Sequence, residues 1–298
     1  MKSASGLSKK KDYKEDTLDM KISIAVPSYN YAQFLDACLN SILMQDYENF
    51  EVLIADGGST DGSIEIIDGY CAQDKRFRLV SSSDQGQADA IKKAFEHATG
   101  DVLCFLNADD CYLCADALRS VVDALKAYAA IDVVSFGGYY LDSNGRWTRP
   151  VRYRYHPLDG FHLMRYRTAV LQPATFWTKK VYEELEWPIQ FHFVFDVVFF
   201  YQAYQSYSWL ELPKPIAGYR MHGENKSAFV KSDRIRELAS FEELKFGPNS
   251  FRSIYLRVIA GIIGLLEKLG SFGVPPTRLI YIIVNSLSYI TIYRLPSI

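Results

Sequence analysis

An apolar run ends abruptly at Phe105-Leu106-Asn107-Ala108-Asp109-Asp110, where an amide and two adjacent carboxylates follow a strand-like segment. Neighbouring carboxylates are costly to desolvate and repel one another unless a cation neutralises them. Hard oxygen donors of this kind suit Mg2+ or Mn2+. The same residues also read as a strand followed by an Asp-capped helix, with Asp109 or Asp110 accepting free N–H groups of the next turn. Taken alone, the hexapeptide does not choose between the two. A further carboxylate, Asp196, precedes the apolar Val197-Val198-Phe199-Phe200. Partial burial raises the pKa of such an acid and suits it to take a proton near neutral pH, whereas its bland role is a helix N-cap.

The elements that must position these groups alternate. Strand candidates are Ile22–Val26, Phe50–Ala55, Phe77–Ser81, Val102–Leu106 and Val133–Phe136, with helical periodicity between them. This pattern predicts a parallel α/β sheet covered on both faces, with ligands beyond the carboxyl ends of its strands. The polar clusters fall at those ends: Pro27-Ser28-Tyr29-Asn30, Asp56-Gly57-Gly58-Ser59-Thr60-Asp61-Gly62, Asp84-Gln85-Gly86 and Asn107-Ala108-Asp109-Asp110. Asp56, ahead of a glycine turn, can accept an imide N–H or a ribose hydroxyl, or can cap the helix that begins near Asp61. Lys93 can reach a phosphate, although Lys92 and Lys93 also read as a solvated helix face.

After Gly137 the alternation stops. Ser143-Asn144-Gly145-Arg146 predicts a tight hairpin turn, and Arg149 to Arg167 a loop region whose arginines (149, 152, 154, 165, 167) are candidates for acceptor or phosphate contact. Gln172–Thr178 reads as a strand, Lys180–Leu185 as a short helix, Asp196–Tyr207 as an aromatic helix and Trp209–Gly218 as an extended segment. Two apolar stretches, Ile254–Leu269 and Leu279–Tyr293, are too short or too interrupted to span a bilayer. They fit helices packed on the core or in self-association, or amphipathic helices on a membrane surface.

With 49% apolar and 14% aromatic residues, the 298-residue chain has material for a large core. Its net charge of −2 gives no electrostatic reason to expect a nucleic-acid partner. Five cysteines without an export signal predict reduced thiols and a cytoplasmic location, and the lone Cys111-x-x-Cys114 predicts structural thiols. Residues 1–20 read as a flexible polar arm.

From Ile22 to about Ser227 the ordered motifs resemble family 2 of the inverting glycosyltransferases. They are Val26-Pro27-Ser28-Tyr29-Asn30, Ile54 to Ser63, Asp84 to Ile91, Asn107-Ala108-Asp109-Asp110 in place of an Asp-x-Asp metal motif, and Gln172 to Trp177 followed by Asp196. The resemblance implies a GT-A fold: a Rossmann-like, mostly parallel sheet flanked by helices, here with a C-terminal helical extension. It divides the chain into an arm (1–20), a glycosyltransferase domain (21–230, nucleotide half to about 137) and the extension (231–298). It implies Asp196 as base, Asp109 and His222 as ligands of Mn2+ or Mg2+, and substrate contacts from Pro27, Tyr29, Asn30, Asp56, Asp84, Gly86, Asn107, Ala108 and Trp177. Asp110 is then a supporting group or cap. Two departures stand out: Asn107 where an Asp is common, and Phe195-Asp196 where an acid pair is usual.

The implied activity is single, metal-dependent, inverting transfer from a nucleotide-diphosphosugar, UDP-linked by default, to a glycan or lipid-linked glycan in bacterial surface-glycan assembly. The alternatives are a nucleotide-sugar-binding scaffold without transfer, and a nucleotidyltransferase, for which the Gly-rich triphosphate loop is missing. The C-terminal helices are expected to serve membrane contact or homo-oligomerisation, so that truncation after Phe246 should spare nucleotide binding.

Overall fold

The structure, a computed structural model, describes residues 20–151, 170–223 and 232–270. Strands β1 (Ile22–Ser28) and β2 (Phe50–Asp56) are buried along their whole length, as strands covered on both faces must be. With β3 (Phe77–Ser81) and β4 (Val102–Phe105) they form a parallel set in the order β3-β2-β1-β4. Helices α1 (Ala32–Leu43), α2 (Ser63–Gln73) and α3 (Gln87–Glu96) supply the connections. The strand order reverses between β1 and β4, which places a cleft beyond their carboxyl ends. Pro27 is tolerated in a central strand because β4 pairs with β1 only as far as Ala25.

Beyond β4 the sheet becomes mixed. The chain continues through β5 (Cys111–Tyr112), α4 (Ala117–Ala127), β6 (Val133–Leu141), β7 (Trp147–Pro150), β8 (Thr175–Thr178), α5 (Lys179–Glu184), α6 (Phe195–Ser206) and β9 (Trp209–Arg220). β8 lies antiparallel between β4 and β6, β9 runs parallel to β6, and the two-residue β5 pairs antiparallel with Ala217 and Gly218 of β9. The expected hairpin joins β6 to β7, so Arg149 lies in a strand. Arg152, Arg154, Arg165 and Arg167 fall outside the described residues. The segment expected as one strand from Gln172 opens instead as a 3-10 turn, Gln172–Ala174, because Pro173 has no N–H to give a ladder.

Apolar cores cover both faces. One contains Leu35, Leu39, Ile67, Leu118 and Val121 from α1, α2 and α4. The other joins α3, β8 and α6 to the last two helices, α7 (Ser232–Phe246) and α8 (Phe251–Gly270), through Phe95, Trp177, Phe199, Leu238, Leu256 and Ile259. One face of α8 thus completes a core of the sheet, while Phe251, Ile254, Val258, Ile262 and Leu265 stay exposed on the other. Leu279–Tyr293 lies outside the described residues. No helix among those described is long and apolar enough to cross a membrane.

Candidate active site

The turns after β1 and β2 are laced together by short polar side chains. Asp56 is fully buried; its Oδ1 accepts the N–H groups of Gly58 (2.9 Å) and Ser59 (2.7 Å), and its Oδ2 accepts the Ser59 hydroxyl (2.7 Å). A carboxylate offers roughly four acceptor positions, and these three bonds leave one unused. Asp56 does not cap α2, whose N-cap is Gly62; Asp61, one residue earlier, accepts from Ser63 N and also ties down Ala32 N. Asn30 takes a left-handed φ of 54° and accepts Thr60 N–H at 2.9 Å, while its own N–H reaches the Ser59 hydroxyl. Pro27 is buried beneath this turn, and Tyr29 stands 58% exposed above it, available to a planar ligand.

Gly57 is wedged between the Tyr29 ring and the Asp84 carboxylate. A Cβ there would lie 3.0 Å from Asp84 Oδ2 and 3.1 Å from Tyr29, so any larger residue would push on both side chains. Asp84 in turn accepts the Gly86 N–H (2.8 Å), and burial pushes its carboxyl above the usual range. Lys93 binds Asp89 and the Ser83 carbonyl, so its ammonium is held by its own helix and the loop before it.

The strand-end acids occupy a polar knot. Neither caps α4, whose N-cap is Asp116. Asp110 is buried and accepts the main-chain N–H of Arg220 at 2.9 Å. Burial, and then the charge of Asp109, hold its carboxyl well above the ordinary value. Asn107 receives Gln87 Nε2 on its Oδ1 (2.6 Å) and donates from Nδ2 to Gln172 Oε1 (3.2 Å) and Asp110 Oδ2 (3.4 Å). An Asp here would have no donor to offer Gln172 and would set a third carboxylate beside two others. The departure from an acid at position 107 thus has a local reason. Ala108 is buried between them and gives the turn a small side chain.

Asp109 meets His222 across 113 positions of sequence: Oδ2 and Nε2 are 3.0 Å apart. Arg220 Nε fixes the Asp109 carbonyl (2.7 Å), and the His222 ring packs on Phe34 and Tyr31 of the β1–α1 region, with centroids 4.6 and 5.8 Å away. The pair passes a simple fit test for a cation. Two donors on adjacent octahedral positions about 2.1 Å from Mg2+ or a similar ion lie about 3 Å apart. Among the described residues no third His, Cys, Asp or Glu joins them in a group. Burial holds the thiols of Cys111 and Cys114 up at about 11, which keeps them protonated and uncharged.

Asp196 lies in the first turn of α6, half-buried, with Oδ1 accepting the Val197 N–H at 2.8 Å. Burial raises its pKa, against the opposing pull of Arg234 on α7. The adjoining Phe195 packs on Phe105 (5.8 Å), which seats the start of α6 beside the end of β4. The main chain ahead of it is clamped by Glu237 of α7, whose Oε1 accepts from His192 N (2.8 Å) and whose Oε2 accepts from Phe193 N (2.7 Å) and Val194 N (3.1 Å).

One expected contact is corrected. Trp177 has no exposed surface and packs edge-on or tilted against Phe95, Phe105, Phe199 and Phe200. It belongs to the core because β8 directs it to the α3–α6 face, away from the cleft. Four residues that motif matching did not single out matter: Gln87, Gln172, Arg220 and Glu237. Gln87 and Gln172 sit inside the quoted motifs and Arg220 two residues before His222, so a polar side chain close to a motif residue was the available signal; Glu237 gave none.

Residues 23–204 match the family model for glycosyl transferase family 2, and the chain belongs to that family. An uncharacterised glycosyltransferase of Nostoc sp. is 39% identical over 116 residues, 39% of this chain and 36% of its own length. A PGL/p-HBAD biosynthesis glycosyltransferase of Mycobacterium bovis is 36% identical over 126 residues, 42% of this chain and 49% of its own. The matched segments therefore span a third to a half of these relatives. The fold is shared with S. aureus TarS in complex with UDP-GlcNAc (TM-score 0.58, 20% identity, 75% of this chain and 67% of that one). It is shared too with the mannosyltransferase PcManGT of Pyrobaculum calidifontis in complex with GDP-Man and Mn2+ (TM-score 0.58, 19% identity, 93% and 83%). The GT-A architecture read from the motifs is the one present.

Proposed function

We propose that this chain is a metal-dependent inverting glycosyltransferase that moves one sugar from a nucleotide-diphosphosugar, with UDP as the first nucleotide to test, to a hydroxyl of a glycan or lipid-linked glycan in surface-glycan assembly. The observation that carries the reading is the Asp109–His222 pair beyond the parallel strands, 3.0 Å apart and matched to adjacent ligand positions on one cation.

In this reading Tyr29, Asp56 and Asp84 hold the nucleoside, and Asp109 with His222 would hold Mn2+ or Mg2+ against the diphosphate. The bound cation would neutralise charge on the departing diphosphate. Asp196 takes the proton of the acceptor hydroxyl; the oxygen then forms its bond to the anomeric carbon as the bond to the diphosphate oxygen breaks on the opposite face. An α-linked donor yields a β product. The raised pKa of Asp196 favours the proton transfer because a stronger base drives it further.

The same proposal sets the enzyme peripherally on a membrane that carries its acceptor. Its support is the exposed apolar row of α8 with Lys268 exposed near its end. Co-sedimentation with anionic vesicles, lost on Val258→Asp, tests this part. The activity itself is tested by thermal shift against a panel of UDP-, GDP- and dTDP-sugars with Mn2+, followed by assay of free sugar. Ligand binding to the native state raises the melting temperature by mass action. A donor that stabilises the protein and is slowly hydrolysed supports the enzyme; binding with no release of sugar supports a scaffold instead.

A further inference from the structure

His192 is a polar side chain beside the Asp84 loop that the scheme above leaves unused. It is exposed, and its imidazole has no hydrogen-bond partner among the described residues. Its main chain is nonetheless fixed, since three consecutive N–H groups from residue 192 onward are held by the Glu237 carboxylate. The ring reaches across to the β3–α3 turn. A Cβ built on Gly86 would lie 3.4 Å from His192 Nδ1, and Gly86 has a φ of +122° that other residues avoid. His192 therefore bridges two loops: the one that carries Asp84 and the one that leads, four residues on, to Asp196.

We propose that His192 contacts the transferred sugar of the donor and helps to select it. This rests on reading the cleft as a nucleotide-diphosphosugar site. If Asp84 lies on the nucleoside side and Asp196 faces the anomeric carbon, the group between them is the sugar ring. A neutral imidazole offers one donor and one acceptor, which matches a hydroxyl that both gives and takes a hydrogen bond. The clamp removes the entropic cost of ordering the loop at the moment of binding, so the contact is pre-organised.

The test compares two ligands of each protein by calorimetry with Mn2+: the nucleotide-sugar that wild type binds best from a UDP-, GDP- and dTDP-sugar panel, and the matching nucleoside diphosphate. His192→Ala is expected to weaken the nucleotide-sugar about tenfold, the loss of one hydrogen bond, and to leave the diphosphate alone unchanged. His192→Gln, which keeps a donor and an acceptor, is expected to recover part of the loss. Unchanged sugar-nucleotide affinity in His192→Ala overturns the assignment, and so does equal weakening of both ligands. A wild type that binds none of the panel overturns the glycosyltransferase reading itself, which separates that failure from a failure of His192 alone.

Discussion

In the donor half, the turns after β1 and β2 are fastened by side chains from the same or the adjoining loop: Asp56 binds the N–H groups two and three residues ahead, and Asn30 and Ser59 bind each other's turns. In the acceptor half, the loop before Asp196 is fastened by a residue more than forty positions later, Glu237, and α6 is seated by aromatic packing with α7 and α8 behind it. The first arrangement is local and survives as a short motif. The second depends on tertiary structure and leaves almost no motif. The two halves also treat their carboxylates differently. Asp56 is surrounded by donors, whereas Asp196 accepts the main-chain N–H of Val197 and is pushed up by burial. A carboxylate rich in donors serves binding and shape, and a poorly solvated one serves proton transfer.

The largest effect that would break this comparison is loss of the C-terminal helix. Truncation after Phe246 removes Leu256, Ile259, Ala260 and Ile263 from the core they share with α6. At about 1.5–3 kcal/mol for each of the three larger side chains, the loss rivals the net stability of a domain. The truncated chain is expected to be unfolded or aggregated by circular dichroism and to lose nucleotide binding. That reverses the expectation from sequence, which treated the helix as an appendage; a folded, nucleotide-binding truncation would restore the original view.

Asp196→Asn comes next. Turnover is expected to fall by about 10²–10⁴-fold with donor affinity kept, because the amide cannot take the acceptor proton. Wild-type transfer should fail as pH drops through the Asp196 pKa, at higher pH than for an ordinary Asp, and that acid limb should be absent from the variant. The stability effect has the opposite sign. A folded pKa raised above that of an ordinary Asp means the native state holds the proton more tightly, so stability falls as pH rises from the ordinary Asp range through the raised value. Above that range Asp196→Asn should melt higher than wild type. A lower melting point at pH 7 would show that the carboxylate is structurally satisfied.

A smaller effect is expected of Asn107→Asp. The new carboxylate loses the hydrogen bonds to Gln172 and Asp110 and adds charge beside two acids, at a cost of about 1–3 kcal/mol in the metal-free protein. Urea denaturation in EDTA measures it, and an unchanged midpoint would mean that the knot around Asn107 carries no strain.

Legibility in the sequence follows the same division. β1 to β4 could be read because unbroken β-branched and apolar runs stop at Pro, Gly and Asp turns, and β3 was placed to the residue. The two-residue β5 could not, because it exists only through pairing with Ala217 and Gly218 of β9. Asp109 and His222 were paired through family motifs, since nothing local brings residues 113 apart together. Trp177 was misplaced because a motif position does not say which face of a strand it occupies. Glu237 escaped notice for want of any nearby pattern; its role depends on where α7 docks.

The most direct test of the account is the metal dependence of transfer in wild type, Asp109→Ala and His222→Ala, each assayed in EDTA and after addition of Mn2+. The account predicts that wild type is inactive in EDTA and recovers with Mn2+, that Asp109→Ala stays inactive at any Mn2+ concentration while remaining folded, and that His222→Ala needs more Mn2+ than wild type. Wild-type transfer that persists in EDTA, or Asp109→Ala turnover equal to wild type, would contradict it.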